Sequence, residues 1–361
     1  MKYITILLMV LVFSQTYLGD CKCSIYSFGD SLADTGNLLI SNHQGLGAII
    51  GKFPYGETFG FPTGRCSDGR LIVDFIAKAL GSSFLKPYLH KNANFSDGIN
   101  FAVAGATALE SSFLTANGIG PLWTNNSLDT QINWFLEYKR NFCSSNEDCE
   151  SHFANAMFLM GEIGGNDYNY PFAQQRPLTE VESLIPLVIN KIKVALETLI
   201  NSGGARKILI QNNLPIGCSP SYLSTKDGEK DSSGCLKDYN EFSEKSNKLL
   251  KQMVKRLQQK NPRVSIVFAD YYNAALTIIK KPSSYGLQRD VLQTCCGAGG
   301  PYKFDIQHLC GTPGSTTCHN SQQYFNWDGI HLTEAAYKQI ASMFMDGKFT
   351  NPSFNSVFKN G

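Results

Sequence analysis

Five short apolar runs, at 24–28, 98–103, 156–160, 207–211 and 264–269, alternate along the chain with stretches of helical spacing at 71–80, 128–141, 179–201, 238–259 and 333–345. Successive strand residues point to opposite faces, so Met157-Phe158-Leu159-Met160 or Ile208-Leu209-Ile210 presents apolar side chains on both. A strand of that kind is buried on both faces, as in a parallel sheet with helices above and below it. Strand, helix, strand repeated from one end to the other therefore predicts an α/β protein. No linker or internal repeat interrupts the pattern, which predicts a single domain over 22–361. The segment rich in Pro, Gly and Cys from Lys281 to Trp327 reads as a cysteine-stapled excursion of that domain.

The N-terminus joins Met1-Lys2 to an apolar stretch at 4–13 and a polar exit at Ser14-Gln15-Thr16, the build of a signal peptide over 1–21. A bilayer-crossing helix needs about twenty apolar residues. This run is too short, and no later one reaches that length, so no stable membrane anchor is expected. The 32 basic and 30 acidic residues are scattered, leaving no basic stripe to follow a phosphate backbone, and nucleic acid is not an expected partner.

Eleven cysteines suit an oxidising compartment. Cleavage after Cys21 leaves ten, whereas cleavage nearer Thr16 keeps all; both remain open. Close pairs, Cys143 with Cys149, Cys218 with Cys235 and Cys310 with Cys318, are disulfide candidates because short loops close easily. His308, Cys310, Cys318 and His319 also lie close together, but their order matches no usual zinc pattern, and disulfides are the preferred reading. Two sequons, at Asn94 and Asn125, are candidate glycan sites in a chain that enters the secretory route.

The first strand runs into Phe28-Gly29-Asp30-Ser31-Leu32-Ala33-Asp34-Thr35-Gly36-Asn37. Ligands of parallel α/β sheets bind at the carboxyl ends of the strands, which is where Ser31 falls. The second and third strands end at Asn100-Phe101-Ala102-Val103-Ala104-Gly105-Ala106-Thr107 and at Gly161-Glu162-Ile163-Gly164-Gly165-Asn166-Asp167-Tyr168, on the same rim. Backbone N–H groups of Ser31 and Gly105, with the Asn166 amide, could stabilise a developing oxyanion. A serine hydroxyl hardly ionises at neutral pH and needs an oriented base, and Asp328-Gly329-Ile330-His331 offers a carboxylate and an imidazole within one turn. The other histidines, His43, His90, His152, His308 and His319, sit in unremarkable polar surroundings and read as surface residues. Tyr168, Tyr170, Pro171 and Phe172 follow the third loop. They offer either aromatic surface to a ring-bearing or cationic alcohol, or simple packing of the loop on the sheet.

Those ordered blocks resemble the plant GDSL esterase/lipase family of SGNH hydrolases. The likeness extends through Gly64-Arg65-Cys66-Ser67-Asp68-Gly69-Arg70, Asn213-Leu214-Pro215-Ile216-Gly217-Cys218 and Cys295-Cys296-Gly297. The resemblance implies a flavodoxin-like three-layer α/β/α sandwich with a mainly parallel five-stranded sheet. It further implies a Ser31, His331 and Asp328 triad, an oxyanion hole at Ser31, Gly105 and Asn166, no cofactor and no metal. The 161–170 loop is most similar to the branch of acetyl-alkaloid and sinapine esterases. The expected function is hydrolysis of a short acyl ester of a plant metabolite, outside the cell or in the vacuole. The alternatives are an acyltransferase with the same triad, a lipase for longer chains, and a secreted binding protein that kept the fold without the chemistry.

Overall fold

In a computed structural model describing residues 23–143, 145–288 and 290–359, the five expected strands form the middle of one sheet. They are β1 (Ile25–Phe28), β3 (Gly98–Asn100), β4 (Met157–Met160), β5 (Lys207–Gln211) and β6 (Ser265–Ala269). Two two-residue strands, β2 (Lys86–Pro87) and β9 (Thr350–Asn351), widen it to seven in the order β2-β3-β1-β4-β5-β6-β9. Every pairing is parallel except that of β6 with β9. The expectation of five strands is thus short by two edges, which are too brief to leave an alternating pattern. Pro87 is tolerated on an edge, where no ladder donor is required of it. A separate two-stranded pair, β7 (Cys296–Gly297) with β8 (Thr316–Thr317), lies in the cysteine-rich excursion.

Alternation along the strands divides the core in two. Tyr26, Phe28, Phe158, Met160, Ile208 and Ile210 face one helical layer, and Ile25, Met157, Leu159, Leu209 and Val267 face the other. The run at 98–103 keeps only three residues as strand because Asn100 turns the chain: its Oδ1 accepts Ala102 N–H at 2.9 Å while its Nδ2 donates to Ala33 O at 2.6 Å. The long helix expected at 179–201 is divided into Leu178–Glu182 and Ile185–Thr198, with a wider last turn at Leu199–Gly203. Pro186, which has no N–H to give, sits in the first turn of the longer piece. A helix at Gly165–Ala173 went unforeseen, since its Gly-Gly start and internal Pro171 hide the periodicity.

Cys143 pairs with Cys149 and Cys218 with Cys235, as expected. The expected Cys310–Cys318 bridge is not formed. Cys318 N–H donates to Cys295 O at 2.7 Å beside the β7–β8 pair, so Cys318 bonds Cys295 and Cys310 bonds Cys296. With both sulfurs in disulfides, the alternative of a zinc site at Cys310 and Cys318 falls. The expected signal peptide and Cys21 lie outside the described residues. Asn94 and Asn125 are exposed.

The adjacent bridges carry the loop of His331, because Cys295 and Cys296 donate their N–H groups to Asn326 O and Trp327 O at 2.9 and 2.7 Å. Replacing Cys296 and Cys310 together by Ser should cost about 3 kcal/mol of stability, the scale for a loop of this length. Thermal melts of the double variant, with disulfide mapping of the parent protein, check both the cost and the pairing.

Candidate active site

Ser31 sits just beyond β1 in a turn shaped by Gly29, where φ is 141° and an added Cβ would meet Glu162 O at 3.0 Å. The peptide of Gly29 is clamped from the helix Leu128–Phe142: its N–H donates to Gln131 Oε1 at 2.9 Å, and Gln131 Nε2 donates to its carbonyl at 2.8 Å. Asp34 braces the other side of the turn. Its carboxylate accepts the N–H groups of Gly36, Asn37 and Leu38 at 2.7, 2.6 and 3.0 Å, and that of Ala104 at 2.8 Å. The last bond ties the Ser31 loop to the Gly105 loop. Asp167 then ties the third loop to the second, accepting from Ala108 and Leu109 at 2.7 and 2.9 Å.

His331 reaches this rim from a loop leading to the helix Glu334–Met345, which Thr333 caps by accepting Ala336 N–H. Its Nε2 lies 2.8 Å from Ser31 Oγ across 300 residues of sequence. Its Nδ1 lies 2.7 Å from Asp328 Oδ2. A carboxylate only accepts, so Nδ1 carries the proton and Nε2 is left to accept the serine O–H. Asp328 Oδ1 also accepts the His331 backbone N–H at 2.9 Å, and Tyr55 O–H donates to Oδ2 at 2.7 Å. Burial alone would raise Asp328; the facing His331 and these hydrogen bonds outweigh it and bring its pKa down to about 2. Burial likewise opposes charge on His331, yet Asp328 holds its pKa well above the ordinary imidazole value.

Gly105 has φ 81°, and an added Cβ would meet Trp123 Cβ at 2.8 Å. Tyr170 holds that loop, donating to Gly105 O at 2.9 Å and accepting Trp123 N–H at 3.0 Å. Neither Ser31 N–H nor Gly105 N–H donates to an acceptor among the described residues. Asn166 differs: its Nδ2 donates to Asp30 Oδ2 and to Ala106 O, both at 3.0 Å. Behind Asp30 lies a second buried carboxyl. Burial and the Asp30 charge push Glu162 well up from the ordinary carboxyl value.

Ser31, His331, Asp328, Asn166, Asp30 and Glu162 line a cleft of about 510 Å³ whose other walls are largely apolar, with Leu46, Ile49, Trp123, Phe172, Phe304 and Leu309 among them. Of the aromatic residues expected beside the rim, Tyr170 and Phe172 line this cleft. Tyr168 is 1% exposed and bonds Ser246 at 3.1 Å, so for that ring packing is the role observed.

The profile of the GDSL-like Lipase/Acylhydrolase family matches residues 25–344. The chain belongs to the GDSL lipase/acylhydrolase family. Its class of chemistry is carboxylic ester hydrolysis. Among similar proteins, one GDSL esterase/lipase of Arabidopsis thaliana is 46% identical over 97% of this chain and 90% of its own length. Another from the same plant is 48% identical over 96% of this chain and 88% of its own. A phospholipase A1 of Streptomyces albidoflavus is similar in structure, with 11% identity, 93% of this chain and 99% of that chain covered, and a TM-score of 0.41.

Asp34, Gln131 and Tyr55 are among the residues of this GDSL site that the sequence did not mark as contributors. Asp34 stood inside a quoted block, and its signal was the Asp-Thr-Gly-Asn turn, whose N–H groups a short carboxylate can collect. Tyr55 carried no signal, since only tertiary packing brings it across 273 residues to Asp328. Tyr55→Phe should lower kcat/KM about tenfold with a near-normal melt, the size expected for one hydrogen bond to a charged group. Asp34→Ala should cost more than about 3 kcal/mol, because it strands four N–H groups, three of them in one turn. Ester hydrolysis rates and denaturant unfolding of the two variants test these expectations.

Proposed function

We propose that this protein is a serine esterase in which Ser31 attacks the ester carbonyl, His331 Nε2 takes its proton, and Asp328 fixes the imidazole. The observation that carries this reading is the unbroken relay from Ser31 Oγ through His331 to Asp328, at 2.8 and 2.7 Å. As the tetrahedral intermediate collapses, His331 gives the proton to the departing alcohol; water then releases the acyl group by the same route. The Ser31 and Gly105 N–H groups support an oxyanion role because they are uncommitted, and Asn166 would join by sharing hydrogens now directed at Asp30 and Ala106.

The substrate we propose is a small ester of a plant metabolite, with a short acyl group, as the resemblance of the 161–170 loop to the acetyl-alkaloid and sinapine esterase branch suggests. We further propose one catalytic domain after a signal peptide, secreted or vacuolar, with glycans at Asn94 and Asn125. Four disulfides and two exposed sequons support passage through an oxidising lumen.

Ser31→Ala should reduce turnover of an aryl acetate by about four orders of magnitude while the protein melts normally. A well-folded variant with parental rate would overturn the assignment, and a parent protein inert toward every ester would favour the binding-protein alternative. Asn166→Ala should lower kcat about a hundred- to a thousandfold with little change in KM. The base must be neutral to accept a proton, so kcat/KM rises with pH, and its midpoint should lie above about 6.5 because Asp328 raises His331. Asp328→Asn removes that charge and should move the midpoint down while the plateau falls; pH–rate profiles of both proteins decide it. Comparing an acetyl ester with a long-chain triglyceride separates the esterase from the lipase alternative.

A further inference from the structure

Lys226 is the one charged residue of the cleft lining that belongs neither to the Ser31 relay nor to the buried Asp30–Glu162 pair. Its ammonium is fixed. It donates to Gln175 Oε1 at 2.7 Å and to Phe172 O, at the last turn of the helix Gly165–Ala173. An ammonium has three N–H donors, and the third meets no acceptor among the described residues. No carboxylate lies within ion-pair distance of it among those residues either. Burial of this half-buried amine pulls its pKa down from the ordinary lysine value.

The same helix supplies a ruler. Asn166, Asn169, Tyr170 and Ala173 line the cleft at spacings of three, four and seven residues, so one face of the helix runs along its wall. Asn166 stands in the first turn, beside the reacting serine, and Phe172 in the last, beside Lys226. Six residues at roughly 1.5 Å each separate the two ends by about 9 Å. The cleft as a whole is lined mainly by apolar side chains, with Asn169 standing between the two ends. A positive charge facing an apolar cleft without an anionic partner attracts an anion more strongly than the same charge would in water.

We propose that Lys226 forms a distal anion subsite, so that the preferred esters carry a carboxylate about 9–10 Å from the ester carbonyl, across an apolar or ring-shaped spacer. This deepens the esterase reading and rests on it.

Two matched pairs of esters test the subsite on either side of the scissile bond. One pair is 4-nitrophenyl hydrogen suberate and its methyl ester; the other is 4-acetoxycinnamate and its methyl ester. In at least one pair the carboxylate should be favoured in kcat/KM by about tenfold, the scale of a single half-buried charge pair. The preference should shrink as ionic strength rises. Lys226→Arg should keep it, Lys226→Met should bring the ratio within the pair close to unity, and Lys226→Glu should invert it. Turnover of all four esters by the parent protein without preference for either carboxylate overturns the subsite and leaves the esterase standing. A preference that survives in a folded Lys226→Met protein also overturns it. Failure to hydrolyse any of the four counts against the esterase reading itself, and the subsite falls with it.

Discussion

Four backbone N–H groups from two separate loops converge on the carboxylate of Asp34, and the rest of the site depends on that convergence. Three of them close the turn that follows Ser31; the fourth belongs to Ala104, next to Gly105. A parallel sheet delivers strand ends to a common edge but does not fix the loops beyond it relative to one another. Asp34 supplies that fixing for the first two loops, and Asp167 repeats it for the next two through Ala108 and Leu109. Both carboxylates are fully buried. Polar N–H groups replace part of the water that burial removes, while burial still raises Asp34 and pushes Asp167 up to about 7.

The core of the fold could be read because its signal is local. Each of the five central strands lies within an apolar run of five or six residues, and two-sided burial leaves no polar face to confuse the period. Edges and breaks depend on partners instead. Nothing in Lys86-Pro87 or Thr350-Asn351 announces pairing, and the bend that shortens β3 comes from the Asn100 side chain reaching Ala33. Cysteine pairing went the same way. Proximity in sequence predicted two bridges, then failed at the third, since the register of β7 on β8 sets Cys318 beside Cys295 and leaves Cys310 to Cys296.

Chemistry was legible for a different reason. Ser31, Gly105, Asn166, Asp328 and His331 occur in compact blocks whose residue types match a reaction, so resemblance and chemistry point to the same atoms. What supports them does not occur in blocks. Tyr55 binds Asp328 from a loop far away in sequence, and Gln131 reaches Gly29 from the face of a long helix. Such residues look like ordinary core members until their hydrogen-bond partners are known. The aromatic stretch after Asn166 illustrates the point within one helix: Tyr168 turns inward to Ser246, while Tyr170 supports the Gly105 loop.

Two carboxyl groups near Ser31 have been driven in opposite directions, and the difference explains how one small site can hold several acids. Asp328 meets four hydrogen-bond donor groups, from the imidazole, two backbone N–H groups and Tyr55, and so stays ionised beneath the base. Glu162 is buried beside the charge of Asp30, and together these outweigh the one N–H it accepts from Gly165 and push its pKa well up. Asp30 remains the acceptor for Asn166. A second negative charge beside it would oppose the charge that the proposed Ser31 and Gly105 donors would receive, so a Glu162 pushed toward its neutral form suits the proposed acyl transfer.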